Sequence, residues 1–165
     1  MIICGIDPGT RITGYGILDI RTRPRSQLSY VSHGTIRPKG EDLPLRLKEI
    51  FLKITDVFRE YRPDEVAIET TFHALNAQSA LKLGQARGAI ILAASLLEIP
   101  VFEYTPTEVK KATCGYGHAG KDQISAMIAT ILHLPKGQVA SADASDALAI
   151  GLCHSSCRRL KELVQ

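Results

Sequence analysis

The sequence has no cysteine pair at metal-binding or redox spacing, no long apolar run and no internal repeat. Its four cysteines form no Cys-x-x-Cys motif, which argues against a zinc module and against a disulfide framework. Cys153 and Cys157 lie four residues apart beside His154, but no second cysteine or histidine pair completes a metal site. We therefore interpret them as helix-face residues of a reduced, cytoplasmic protein.

The apolar segments of the sequence are too short to cross a membrane, so we expect no membrane association. The N-terminal run lacks the basic flank of a signal peptide, and the longest later run, Ala89 to Ala94, is far below spanning length. Twenty basic residues against seventeen acidic ones give a net charge of +3, which by itself does not indicate nucleic-acid binding. No linker divides the chain, so we expect a single domain over residues 1–165.

Apolar periodicity predicts strands first and then alternating helices and strands. Three strands, which short turns favour as an antiparallel meander, are predicted over Met1–Ile6, Thr13–Ile20 and Gln27–Ile36. The later predicted elements are a helix from Pro44 and Leu47 to Tyr61, a strand ending at Glu69, a helix from about Asn76 to Leu97, a strand over Val101–Tyr104, and helices over Pro106–Cys114, Lys121–His133 and Ser141 to about Leu163. This order predicts an α/β fold with a central mixed five-stranded sheet and helices on both faces, and it is similar to the ribonuclease H-like fold.

Two of the predicted strands end on a carboxylate, namely Asp7 and Glu69. Ligands of open α/β sheets bind beyond the carboxyl ends of the strands, so these two residues are placed to share a ligand. Asp143 and Asp146 lie three residues apart at the start of an alanine-rich helical stretch, which puts both on one helix face. Since hard divalent cations select oxygen ligands, the four acids together predict a divalent metal site.

Each carboxylate taken alone also has a structural explanation. Aspartate before Pro8-Gly9 is ordinary turn chemistry, and Asp143 in a first helical turn can serve the helix dipole. Glu69 is harder to explain in this way, because a carboxylate at the end of a buried strand loses hydration unless something compensates for it. The metal-site prediction therefore depends on the four acids occurring together.

The long predicted helix carries a face of small and apolar residues. Its members are Ala77, Ala80, Leu81, Gly84, Gly88, Ile91 and Ser95. Gly84 and Gly88 lower helix propensity, which indicates that another backbone approaches closely. Either the domain's own sheet or the same helix of a second subunit can be that neighbour, and both alternatives remain open.

Five segments of the chain closely resemble one known family in content and order. They are Gly5–Gly16 (GIDPGTRITGYG), Ala67–Glu69, Ala80–Gly88, Val101–Tyr104 and Ala142–Ile150. The family is that of the RuvC Holliday-junction resolvases, or crossover junction endodeoxyribonucleases. The resemblance implies a structure-selective endonuclease that resolves four-way (Holliday) DNA junctions by metal-dependent phosphodiester hydrolysis in homologous recombination and DNA repair.

The same resemblance implies roles for individual residues. It makes Asp7, Glu69, Asp143 and Asp146 the catalytic carboxylates, which hold two Mg²⁺ ions per site, with Mn²⁺ as a substitute. It implies that Lys110 and Lys121 contact DNA near the site and that Phe72 engages bases at the junction centre. The implied partners are four-way junction DNA, a second copy of the chain in a homodimer, and the branch-migration proteins RuvA and RuvB.

Other interpretations of these residues stay open at this point. Charge alone favours solvated roles for Lys110 and Lys121, and Phe72 can fold back onto the core. The segment Asp7-Pro-Gly-Thr10 also resembles the phosphate loop of actin-like and sugar-kinase-like ATP-binding proteins, although those proteins need two related domains. A ribonuclease H-like nucleic-acid-binding module without activity is the other alternative, and only the presence of all four acids argues against it.

Overall fold

A computed structural model of the chain describes residues 1–21, 27–70, 76–135, 137–139 and 141–164. The described residues form, in chain order, β1 (Ile2–Asp7), β2 (Thr13–Arg21), β3 (Gln27–Ile36), α1 (Leu43–Tyr61), β4 (Glu65–Glu69), α2 (Ala77–Leu96), β5 (Val101–Tyr104), α3 (Pro106–Cys114), α4 (Lys121–Ile131) and α5 (Ala142–Val164). The predicted elements are all present. The clearest difference is that α4 ends two residues before the predicted His133, which has a positive φ of 52° and so cannot continue the helix.

The strands form one mixed sheet in the order β3-β2-β1-β4-β5. The first three strands are an antiparallel meander, whereas β4 runs parallel to β1 and β5 parallel to β4. The register pairs Ile6 with Ile68, so Asp7 and Glu69 end neighbouring parallel strands at the same edge of the sheet. The predicted mixed five-stranded sheet is therefore confirmed.

Helices cover both faces of this sheet. On one face, α1 and α2 pack onto alternate strand residues such as Cys4, Ile6 and Ile68. On the other face, α3, α4 and α5 pack onto residues such as Ala67 and Leu18. Because side chains alternate between the faces of a strand, Asp7 and Glu69 point to the same side as Ala67, which is the side covered by α5.

Glycines of the sheet allow α5 to lie directly on it. A Cβ atom on Gly5 would come within 2.1 Å of the carbonyl oxygen of Ala147, and one on Gly14 would come within 2.0 Å of the carbonyl oxygen of Asp143. No side chain fits at either position while α5 stays where it is. This close approach brings the first turn of α5, with Asp143 and Asp146, to the edge where Asp7 lies.

Helix caps set where α3 and α4 begin beside the same edge. Thr105 and Glu108 form a capping box at the start of α3, immediately after β5. The Gly120 N–H donates to Oε1 of Gln123 at 2.9 Å, and α4 begins at the next residue, Lys121. Both helices therefore start close to the carboxyl ends of the parallel strands.

On the small-residue face of α2, Ile91 packs against the core, whereas Gly84 and Gly88 do not pack on the described sheet. Within the described part of the chain, nothing lies within 4 Å of a Cβ built on Gly84 or Gly88. The helix instead buries Ala86, Ile90 and Ala93 against α1 and the sheet. The alternative that the domain's own sheet explains these two glycines is therefore wrong.

No helix in the described ranges has both the length and the apolar composition needed to cross a membrane.

Candidate active site

Three carboxylates line one cleft of about 270 Å³ at the carboxyl end of the parallel strands. Asp7 and Glu69 come from β1 and β4, and Asp146 comes from α5. Asp143 does not line the cleft, but it lies close enough that its charge raises the pKa of both Asp7 and Asp146. The structure thus brings together all four acids that the sequence analysis selected.

Burial and repulsion from neighbouring acids raise the pKa of Asp7, Glu69 and Asp146. Burial, followed by the charges of Glu69, Asp146 and Asp143, raises the pKa of Asp7 to about 8. Burial and the charge of Asp146 raise the pKa of Glu69 to about 7. Burial also raises the pKa of Asp146, with Lys121 opposing that shift. Four like charges in one small volume are unfavourable without a positive partner, so the site favours cations.

Two lysines supply part of that positive charge. The Nζ atom of Lys121 lies 3.8 Å from Oδ2 of Asp146, and the lysine side chain is 79% exposed, so the ion pair adds little to stability. Lys110 is half-buried in the cleft lining, and its charge opposes the rise in pKa of Glu69 and Asp146. Both lysines therefore face the acids rather than open solvent alone.

The chemistry of the donor set fits a hard divalent cation. All candidate ligands are carboxylate oxygens, the type that Mg²⁺ and Mn²⁺ prefer. In the side-chain arrangement of the described ranges, however, no three Asp, Glu, His or Cys side chains already stand as a ligand group. Binding of one ion by three of these acids would therefore require their side chains to move closer together.

Apolar residues form a wall of the cleft that the sequence analysis did not identify as part of the site. Val109 and Ile124, each 4% exposed, line it together with Pro106. This wall limits the access of water to the acids, which is the physical cause of their desolvation. Their positions in the sequence could have identified these wall residues. Val109 directly precedes Lys110, and Ile124 follows Lys121 by one helical turn.

Phe72, the predicted junction-contacting aromatic, lies outside the described residues, as do its neighbours 71–75.

A larger cavity of about 380 Å³ lies elsewhere, lined by Phe58, Arg59, Arg62, Pro63, Leu97 and Ile99. None of these lining residues is a carboxylate, so the cavity offers no anionic ligand to a hard cation. The smaller acidic cleft remains the candidate active site.

Comparison with known proteins identifies the family. A sequence profile described as crossover junction endodeoxyribonuclease RuvC matches residues 3–154. The chain belongs to the RuvC family. A RuvC from Shewanella sp. (strain MR-4) is 54% identical, with 93% of this chain and 86% of that protein covered. A RuvC from Geobacter metallireducens is 48% identical over 100% of this chain and 98% of that protein.

The RuvC fold agrees with the sheet and helix arrangement described above. A Thermus thermophilus RuvC structure in complex with a Holliday junction substrate superposes with a TM-score of 0.88 at 31% identity, covering 98% of this chain and 96% of the other. The ribonuclease H-like fold predicted from the order of elements is therefore confirmed.

Membership in the RuvC family makes this chain a crossover junction endodeoxyribonuclease, a divalent-metal-dependent nuclease that resolves Holliday junctions in recombination and repair. This finding sets aside the kinase-like alternative and the inactive binding module.

Proposed function

We propose that Asp7, Glu69, Asp143 and Asp146 are the catalytic metal ligands with which this single nuclease domain, over residues 1–165, cuts four-way junction DNA. The observation that carries the proposal is the clustering of these acids at the carboxyl ends of β1 and β4, where burial and repulsion raise the pKa of Asp7 to about 8. A cation removes that repulsion and displaces the protons.

The proposed site takes two Mg²⁺ ions, for which Mn²⁺ substitutes. Divalent ions held by these acids would supply activation of the attacking water and charge stabilisation of the leaving oxygen of a phosphodiester. Asp7 lies at the end of the central strand, between the other acids, and is the natural shared ligand. Glu69 would hold one ion, and Asp143 with Asp146 the other.

Lys110 and Lys121 are proposed to bind the phosphate backbone at the cleft. A phosphate is repelled by four carboxylates, and the two ammonium groups in the lining of the same cleft offset that repulsion. Phe72 is proposed to stack on a base at the open centre of the junction, because it follows Glu69, the end of β4 beside the acids, by three residues in the sequence. Stacking of this kind contributes about 1–3 kcal/mol per base in single-strand binding.

A homodimer is proposed on the surface of α2. Gly84 and Gly88 have open space around them in the described chain, and Leu81 beside them is 65% exposed. A face of small residues with an exposed leucine suits close packing against a second copy of the same helix. A two-fold dimer also matches a junction with two equivalent strands to cut. Family membership further implies RuvA and RuvB as partners in branch migration.

The test is cleavage of a synthetic four-way junction by Asp7→Asn, Glu69→Gln, Asp143→Asn and Asp146→Asn. Each variant keeps its shape while losing a ligand charge, so we expect cleavage to be lost and junction binding to be kept or tightened. Asp56→Asn, on the exposed side of α1, is the matched control and should cleave like the wild type. If one of the four variants cleaves at a near wild-type rate in saturating Mg²⁺, the residue that it replaces is not an essential ligand.

A further inference from the structure

A chain of polar contacts centred on the buried His154 connects β4, β5 and α5. The Tyr104 hydroxyl lies 2.7 Å from Nδ1 of His154, and Nε2 of the same ring lies 2.6 Å from Oε2 of Glu65. The other carboxylate oxygen of Glu65 accepts a hydrogen bond from Arg158. His154 is 2% exposed, and its ring packs on Phe102 with ring centroids 4.7 Å apart. The chain is thus a connected set of side chains from three elements.

One of these hydrogen bonds has a fixed direction. An ionised carboxylate only accepts, so Nε2 of His154 donates to Glu65. The contact with Tyr104 forms with either state of the ring: the Nδ1 atom of a neutral ring accepts from the Tyr104 hydroxyl, and that of a protonated ring donates to the hydroxyl oxygen. In both states the contact joins the side chain of Tyr104 to α5.

Such a network contributes little to stability by itself. Burying polar and charged groups costs desolvation that their mutual hydrogen bonds roughly offset, and apolar packing of equal volume often does as well or better. The surrounding core already contains fully buried apolar residues such as Leu148 and Ile150. What hydrogen bonds add to such packing is a fixed direction and distance between the elements they join.

Tyr104 also holds the end of the strand that carries Glu69. The two residues are partners in the parallel register of β4 and β5. The Tyr104 carbonyl accepts from the Thr70 N–H at 2.8 Å and from the Thr70 Oγ1 at 3.2 Å, and Thr70 directly follows Glu69. One residue therefore fixes the Glu69 end of β4 through its backbone and α5 through its hydroxyl.

We propose that Tyr104 is a positioning residue, which through His154 sets the position of α5 relative to the end of β4 and so the separation of Glu69 from Asp143 and Asp146. This inference rests on the proposed ligand role of the four acids. Neither Tyr104 nor His154 lines the cleft, so they act through the acids and do not touch the reacting atoms.

The sheet provides a matched control for the experiment. The Tyr30 hydroxyl lies 2.8 Å from Nδ1 of His33, which is the same kind of contact at nearly the same length. Both residues belong to β3, the strand at the opposite edge of the sheet from β5. Tyr30→Phe and Tyr104→Phe therefore remove the same chemical contact, but only Tyr104→Phe releases the link between the strand end and α5.

The experiment measures the Kd for Mn²⁺ without DNA, from the loss of the free-ion resonance signal, together with thermal unfolding. For Tyr104→Phe we expect the Kd to rise about tenfold, near the lower limit for residues that support metal ligands. The Mg²⁺ requirement of junction cleavage should rise in parallel. Tyr30→Phe should stay within about twofold of the wild type, whatever its effect on unfolding.

Two further variants keep every outcome informative. Thr70→Val removes the Oγ1 contact at the other end of the link and should also raise the Kd, so it carries the test if Tyr104→Phe does not fold. Equal Kd values for Tyr104→Phe, Thr70→Val and Tyr30→Phe would overturn the positioning role alone. Wild-type Mn²⁺ binding by Asp7→Asn would instead overturn the ligand assignment, and the positioning role with it.

Discussion

Asp7 keeps its proton in the metal-free protein well above the pH at which an exposed aspartate ionises. Its pKa rises from an ordinary 3.8 to about 8, first through burial and then through Glu69, Asp146 and Asp143. Between those two pH values the folded chain binds more protons than the unfolded chain. The contribution of Asp7 to stability is therefore fully present below about pH 4 and is lost as the pH rises through about 8.

A stability prediction follows for Asp7→Asn in the presence of chelator. The amide stays neutral at all pH values, so the variant avoids the cost of ionising a buried carboxyl. We expect its Tm to exceed that of the wild type by a few degrees at about pH 8.5 and by less at about pH 5.5, in thermal unfolding scans. Asp56→Asn should show no such dependence on pH, and a lower Tm for Asp7→Asn at the higher pH would contradict the prediction.

Metal binding should release protons from the same acids. The pKa of Asp7 is about 8 and that of Glu69 about 7, so at neutral pH a cation has to displace protons that these groups hold. We expect the affinity for Mg²⁺ and Mn²⁺ to rise as the pH increases from about 6 to about 9, with proton release falling towards zero at the upper end. Calorimetry in buffers of different ionisation enthalpy counts the protons, and a pH-independent affinity would disprove this coupling.

The lysines and Phe72 should differ in the salt dependence of junction binding. A lysine that contacts phosphate releases about one counterion, so Lys110→Ala should lower the slope of log K against log salt by about one. Lys111→Ala, on the exposed side of the same helix, is the control and should leave the slope nearly unchanged. Phe72→Ala should weaken binding with an unchanged slope, because stacking involves no counterion. If Lys110→Ala and Lys111→Ala give the same slope of log K against log salt, Lys110 does not contact the DNA backbone.

At the scale of elements, the contact between α5 and the sheet decides where Asp143 and Asp146 lie. That contact depends on the absence of side chains at Gly5 and Gly14, since both positions face the backbone of α5. A backbone atom of α5 cannot move aside for a new methyl group as the end of a flexible side chain can. The geometry of the acids is therefore sensitive to changes in β2 that leave every acid in place.

We predict that Gly14→Ala destabilises the protein and abolishes cleavage. The new methyl group would lie 2.0 Å from the carbonyl oxygen of Asp143, so the first turn of α5 has to move. Overpacking of this kind costs about 1–3 kcal/mol in the free energy of unfolding, which denaturant titration measures. Gly120→Ala is the control, because its methyl group would meet only Oε1 of Gln123, at 3.8 Å, and its φ of −76° suits alanine. Normal cleavage by Gly14→Ala would contradict this account of α5.

At the scale of the whole molecule, the open face of α2 predicts the assembly. A Cβ atom at position 84 would have no neighbour within 4 Å in the described chain, so we expect Gly84→Arg to change the Tm of the folded subunit little. The same substitution should block close helix packing, give a monomer in sedimentation at micromolar concentration and uncouple the two strand cleavages. Thr130→Arg, on the exposed side of α4, should remain dimeric. A dimer that persists in Gly84→Arg would exclude this face as the interface.

The sequence by itself was enough to predict the helices and strands and to select the four acids as candidates for one site. Local signals are enough for both, because apolar periodicity, Pro44 in an opening helical turn and the turn after Asp7 act over a few residues. The parallel pairing of β1 and β4 then follows from the order of elements, and it puts Asp7 beside Glu69.

The tertiary structure alone decided what depends on packing between distant parts of the chain. The sequence left two neighbours open for Gly84 and Gly88, and only the packed helix showed that the chain's own sheet is not one of them. It gave no neighbour for His154 beyond Cys153 and Cys157, whereas the fold buries that ring between Tyr104 and Glu65, which are 50 and 89 residues away along the chain. Contacts at such separations arise from how helices lie on a sheet, which no local pattern of residues specifies.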